Sequence, residues 1–143
     1  MKIFIDTSSI VKLYHKEVNT ARIEAIFSRN TIVEVFLSEI TKIEFTSAVW
    51  KKARVKEIAE AEAGTIVDLF EKDCMKFSFI PVDSSIVEQA KVLISRYWSK
   101  GLRTLDSIQL ATAISLSGSV QSAICSDEVL KTILITEGLP CDG

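Results

Sequence analysis

Short apolar runs separated by helix-patterned stretches are the feature that most constrains this chain. Four runs stand out, at residues 2–6, 32–37, 77–82 and 123–126. Each is short enough to be a strand, and residues 2–6 are apolar on both faces, as a buried strand is. Thr7-Ser8-Ser9 offers a helix start after the first run, with Ile10, Val11, Leu13 and Tyr14 continuing it. A second helix is expected near 20–28, with Ile23, Ile26 and Phe27 inward. Residues 39–53 and 57–76 read as two long amphipathic helices broken at Arg54-Val55-Lys56, which predicts a helical hairpin. Asp83 caps a helix over 84–99 that stops at Gly101. Further helices are expected at 104–117 and 128–137, ending at Gly118 and Gly138, and residues 139–143 suit either a short last strand or a frayed end. Strands alternating with helices predict an α/β fold, with a parallel sheet of four to five strands and helices on both faces. Pro81 argues for an edge or strand-end position in the third strand.

Composition narrows the class. With 143 residues, 48% hydrophobic, and no linker or repeat, the chain suits a single domain over 1–143 with a sizeable core. A net charge of −2 offers no global basic field for nucleic acid, although a local basic face remains compatible with it. Cys74, Cys125 and Cys141 are scattered and His15 is the only histidine, so a structural zinc site is not expected. Reduced thiols fit a cytoplasmic protein. No signal peptide and no apolar stretch of about 20 residues is seen, so no membrane association is expected.

Four acids carry the functional information. Asp6 ends the first apolar run and Asp127 follows the fourth, while Glu44 and Asp106 lie early in helical patterns. The carboxyl ends of parallel strands share one edge, where ligands bind at a switch in strand order. Carboxylates gathered there repel one another, and a divalent cation removes that penalty. An all-oxygen set without histidine favours Mg²⁺ or Mn²⁺. Such an ion activates water and neutralises charge on a phosphoryl group, which suits phosphodiester hydrolysis. Each acid also has an ordinary reading. Asp6 and Asp127 suit helix caps, Thr41-x-x-Glu44 matches a capping box, and Asp106 complements a helix dipole. Asp83 also follows a strand and opens a helix, so local geometry alone does not exclude it.

At these residues the chain resembles the PIN-domain family, and within it the VapC-type toxins of toxin–antitoxin modules. The resemblance runs through Ile5-Asp6-Thr7-Ser8-Ser9-Ile10-Val11-Lys12-Leu13-Tyr14, then Ser38 through Glu44 with Ala48. It continues in Leu102-Arg103-Thr104-Leu105-Asp106-Ser107-Ile108-Gln109-Leu110-Ala111-Thr112-Ala113 and Ser126-Asp127-Glu128-Val129-Leu130. One such motif is weak, whereas four in order across nearly the whole chain are specific. The resemblance implies a three-layer α/β/α fold and a Mg²⁺- or Mn²⁺-dependent endoribonuclease acting on RNA. It also implies a small cognate antitoxin partner and a homodimer. Asp6 and Asp106 would be the core metal ligands, with Glu44 and Asp127 binding directly or through water. Glu44 would orient the attacking water and Ser8 would hydrogen-bond the cluster. Cys125 stands where the family prefers Ser or Thr, and a thiol is the weaker partner, so that support falls to Ser126. A non-catalytic PIN-like RNA-binding or assembly subunit is the alternative, disfavoured by four intact acids.

Other residues are assigned from their chemistry. Arg103, beside Asp106, suits either a substrate phosphate or a site carboxylate, and Lys12 is a weaker phosphate candidate. Lys51, Lys52, Arg54 and Lys56 gather at the hairpin tip, where a solvated helix end is the favoured reading over phosphate binding. Helical spacing assigns Trp50, Tyr97 and Trp98 to packing.

Overall fold

The computed structural model describes residues 1–143. Its five strands form one parallel sheet: β1 (Lys2–Ile5), β2 (Glu34–Ser38), β3 (Ser78–Ile80), β4 (Ser122–Ile124) and β5 (Cys141–Asp142). Their spatial order is β3-β2-β1-β4-β5. The chain therefore starts at the centre, builds outward to β3, then crosses back to build the other side from β4. The apolar run of β1 reflects that central place. Ile3 and Ile5 point to one face and Phe4 to the other, and all three are buried. The strand before Pro81 lies at an edge as predicted, and the two-residue β5 forms the opposite edge.

Seven helices cover the sheet: α1 (Thr7–Tyr14), α2 (Thr20–Arg29), α3 (Thr41–Arg54), α4 (Glu60–Asp73), α5 (Ser84–Arg96), α6 (Thr104–Ser115) and α7 (Glu128–Thr136). Helices α1 to α4 pack on Ile3, Ile5, Leu37 and Ile124 through Ile10, Ile23, Phe45 and Phe70. Helices α5 to α7 pack on Phe4, Ala123 and Cys125 through Leu93, Leu110 and Ile133. The change of face accompanies the change of direction after β3, as right-handed crossovers require. The result is the three-layer α/β/α arrangement expected, with α3 and α4 as the hairpin. Tyr14 joins α1 to that hairpin: its ring meets Phe45 and Phe70 edge-on and its hydroxyl donates to Asp73 Oδ2 at 2.6 Å.

Two helices end earlier than their patterns suggest. Residues 74–76 and 98–100 are 3₁₀ turns rather than the last turns of α4 and α5. The second swings Trp98 outward to 77% exposure, against its assignment to packing, whereas Tyr97 stays against the core and donates to Glu137 at 2.6 Å. Cys74, Cys125 and Cys141 are free thiols. No helix is long and apolar enough to cross a membrane.

Candidate functional site

Topology brings the four acids to one edge. Asp6 follows β1 directly and Asp127 lies three residues beyond β4, its neighbour across the switch in strand order. Helix α3 leaves the sheet just beyond the carboxyl end of β2, which places Glu44 in its first turn at that edge. Helix α6 returns the chain to the start of β4, so its N-terminal turn, with Asp106, faces the same edge. All four line a single cavity of about 510 Å³, together with Thr7, Ser8, Lys51, Lys52 and Gln109. Asp83 does not line it. It caps α5 after the edge strand β3, two strands away from β1, by accepting from the Ile86 amide at 3.0 Å.

Asp6 is 5% exposed. Its Oδ1 accepts from the Ser9 amide at 3.0 Å, which makes it the N-cap of α1 as well as a wall of the cavity. The Ser8 hydroxyl donates to both carboxylate oxygens, at 3.3 and 3.2 Å. The Cys125 thiol donates to Oδ2 at 3.2 Å. Contact with Cys141 and burial push the Cys125 pKa up, so the sulfur keeps its proton and remains a donor. This reverses the expected support. Ser126 instead pairs with the Ser9 hydroxyl at 3.2 Å and makes no hydrogen bond to a carboxylate. Burial raises the Asp6 pKa despite these hydrogen bonds.

Asp106 is half-buried, and its pKa is raised by burial first and then by the charges of Asp127 and Asp6. The Arg103 backbone amide and positive charge act in the opposite direction. Asp127 is exposed and caps α7, its Oδ1 accepting from the amides of Val129 and Leu130 at 2.9 and 3.0 Å. Both end acids are therefore caps and cavity walls at once. The capping-box reading of Glu44 does not hold, because α3 is capped at Ile40 with no side-chain bond and Thr41 is turned fully inward. Glu44 instead accepts from the Thr7 hydroxyl at 2.9 Å and from Gln109 Nε2 at 2.7 Å.

Gln109 is a site residue that sequence reasoning passed over. It lies one turn beyond Asp106, and the available signal was an amide on a helix otherwise lined inward by Leu110, Ala111 and Ala113. Of the phosphate candidates, Lys12 does not line the cavity. Arg103 lines a smaller neighbouring one of about 340 Å³ shared with Asp106 and Asp127. Lys52 is tied to Glu17 and Glu57, whereas Lys51 enters the main cavity without an ion-pair partner.

The donor set is all oxygen apart from the Cys125 thiol behind Asp6, which fits a hard divalent cation. No three acidic, histidine or cysteine side chains yet converge closely enough to hold an ion as they stand. Burial at Asp6, and burial with like charge at Asp106, are penalties that a cation would relieve.

A family model described as the PIN domain matches residues 3–133. The chain belongs to the PIN-domain family. None of the curated proteins matches it. Solved PIN-like structures share its fold. FitAcB from Neisseria gonorrhoeae is 17% identical, with a TM-score of 0.71 over 99% of this chain and 96% of that one. VapC20 from Mycobacterium tuberculosis, described as a sarcin–ricin loop cleaving toxin, is 15% identical, with a TM-score of 0.70 over 92% and 94%. VapBC2 from Rickettsia felis, bound to a DNA fragment from its promoter, is 14% identical, with a TM-score of 0.66 over 99% and 98%. At these identities the likeness concerns the PIN fold, and function rests on the site itself.

Proposed function

We propose that this PIN-domain chain is a Mg²⁺- or Mn²⁺-dependent endoribonuclease, the toxin of a toxin–antitoxin pair. The observation that carries the proposal is the meeting of Asp6, Glu44, Asp106 and Asp127, from four separate elements, around one cavity at the switch in strand order. Asp6 and Asp106 would hold the cation, and Glu44 and Asp127 would complete its environment directly or through water. The bound ion would supply an activated water and neutralise charge on the phosphoryl group. Ser8 and Cys125 hold the Asp6 carboxylate in place by hydrogen bonds. Lys51 is the residue best placed to hold a substrate phosphate at the far end of the cavity, with Arg103 on the other side of Asp106.

The toxin assignment draws on the likeness to VapC20 and to VapBC2. It brings with it an RNA substrate, a small antitoxin partner, a homodimer and a cytoplasmic setting, with residues 1–143 acting as one PIN domain. The test is cleavage of cellular RNA by the purified chain with and without Mn²⁺ or Mg²⁺. Cleavage that needs the ion, and that falls at least about 10²-fold in Asp6→Asn or Asp106→Asn while the fold persists, is the expected result. RNA binding without metal-dependent turnover would favour a non-catalytic assembly subunit instead.

A further inference from the structure

Behind Glu44 lies a closed set of buried polar groups from three helices. Gln109 on α6 is 5% exposed, and Thr41 on α3 is fully buried. Gln109 Nε2 stands 2.7 Å from Glu44 Oε1, 3.1 Å from Thr41 Oγ1 and 3.1 Å from Thr7 Oγ1. Thr7 Oγ1 stands 2.9 Å from Glu44 Oε1 and 3.0 Å from Thr41 Oγ1. An amide nitrogen has two hydrogens and each hydroxyl has one. Gln109 donates to Glu44 and Thr41, and the Thr7 hydroxyl, which also lies within reach of Thr41, donates to Glu44. Glu44 Oε1 thus accepts two hydrogen bonds, one for each of its lone pairs.

The amide cannot be turned over, because its carbonyl would then face the Glu44 carboxylate. Its own Oε1 is buried and receives no hydrogen bond from another protein group. An unpaired buried carbonyl lowers stability, and an apolar side chain of the same size would avoid it. Packing alone therefore does not account for glutamine here, whereas orientation of Glu44 does.

We propose that Gln109 is a positioning residue which, with Thr7, ties up Glu44 Oε1 and leaves Oε2 as the one oxygen Glu44 offers to the cavity. A carboxylate limited to one oxygen suits a small octahedral cation such as Mg²⁺ or Mn²⁺. A carboxylate free to bind through both oxygens suits the larger and more flexible shell of Ca²⁺. Gln109 thus sets which cation the site prefers. This inference rests on the metal-dependent reading above.

The test is calorimetric titration of the metal-free protein with Mn²⁺ and with Ca²⁺, for wild type and Gln109→Met. Wild type is expected to prefer Mn²⁺. Gln109→Met is expected to lose about 10-fold or more in Mn²⁺ affinity, the usual size of an effect on groups that orient a ligand. Its preference for Mn²⁺ over Ca²⁺ is expected to narrow, with its melting temperature maintained. Thr7→Val removes the other donor to Oε1 and is expected to move the preference the same way, so the test does not depend on one variant folding. Wild-type affinity and preference in both variants would overturn the role of Gln109 while leaving the metal-dependent reading intact. A wild-type protein that binds neither ion would overturn both.

Discussion

The Cys125 thiol lies 3.2 Å from Asp6 Oδ2 and donates a hydrogen bond to it across the β1–β4 pair. A sulfur donor is weak, but here it is buried and kept protonated, and the acid it serves is nearly inaccessible. Its hydrogen bond lowers the Asp6 pKa against the larger upward effect of burial. Cys125→Ala therefore moves the acid limb of the pH–rate profile to higher pH and weakens Mn²⁺ binding about 10-fold. Cys125→Ser restores a stronger O–H donor and leaves the limb at or below its wild-type position. A pH–rate series on the three proteins decides the point, and an unshifted alanine variant would remove Cys125 from the site.

Asp106 makes the metal-free fold sensitive to pH in a defined direction. Its folded-state pKa is raised from 3.8 by burial and by Asp127 and Asp6. A raised carboxyl is harder to ionise in the folded chain than in the unfolded one. Its penalty is absent below the unfolded value of 3.8, grows above it, and is complete once pH exceeds the folded value. Asp106→Asn removes that penalty. It is expected to stabilise the metal-free protein at neutral pH by less than about 1 kcal/mol, since the group is partly solvated, or roughly 2–3 °C. The gain disappears as pH falls below 3.8, which thermal melts of both proteins across that range would show.

A Lys51 variant is expected to separate substrate binding from chemistry. Lys51 is exposed, enters the cavity beyond Glu44 and has no carboxylate partner, unlike Lys52. Lys51→Ala is expected to raise KM several-fold with kcat nearly unchanged, and to reduce the salt dependence of RNA binding by about one released counterion. Lys12→Ala, outside the cavity, leaves both alone. Titrations of RNA at several salt concentrations measure the slope.

Phe45 ties the core to the site. It is fully buried beside Glu44, stacked on Phe70 at 3.9 Å and met edge-on by Tyr14. Phe45→Ala is expected to cost about 3–5 kcal/mol in a urea titration. Phe45→Leu refills most of the space and recovers much of that loss. Activity follows the same order, because the packing of α3 on α1 also holds Glu44 against Thr7.

Much of this was legible in the sequence, for identifiable reasons. Ile3-Phe4-Ile5 announces a strand buried on both faces, and an acid directly after such a strand has to lie at its carboxyl end. Local pattern could not separate Asp127 from Asp83, since both cap helices after strands. Strand order separates them: β4 lies beside β1, whereas β3 lies two strands off, about 10 Å away at ordinary strand spacing. Glu44 was obscured because Thr41 mimics a cap while pointing inward, a fact decided by how α3 packs on α1 rather than by its own residues. Gln109 and Cys125 were obscured for a related reason. Their importance lies in partners 65 and 119 positions away.

The order β3-β2-β1-β4-β5 divides the acids evenly. Asp6 and Glu44 come with the half of the chain that builds β1 to β3, and Asp106 and Asp127 with the half that adds β4 and β5. The β1–β4 ladder is the seam between these halves, and like charges press on it from both sides. An ion seated there would act as a rivet. Adding Mn²⁺ should therefore slow amide exchange most along β1 and β4 and least at the outer strands. The part of the molecule that performs chemistry would then also be the part that fastens its two halves together.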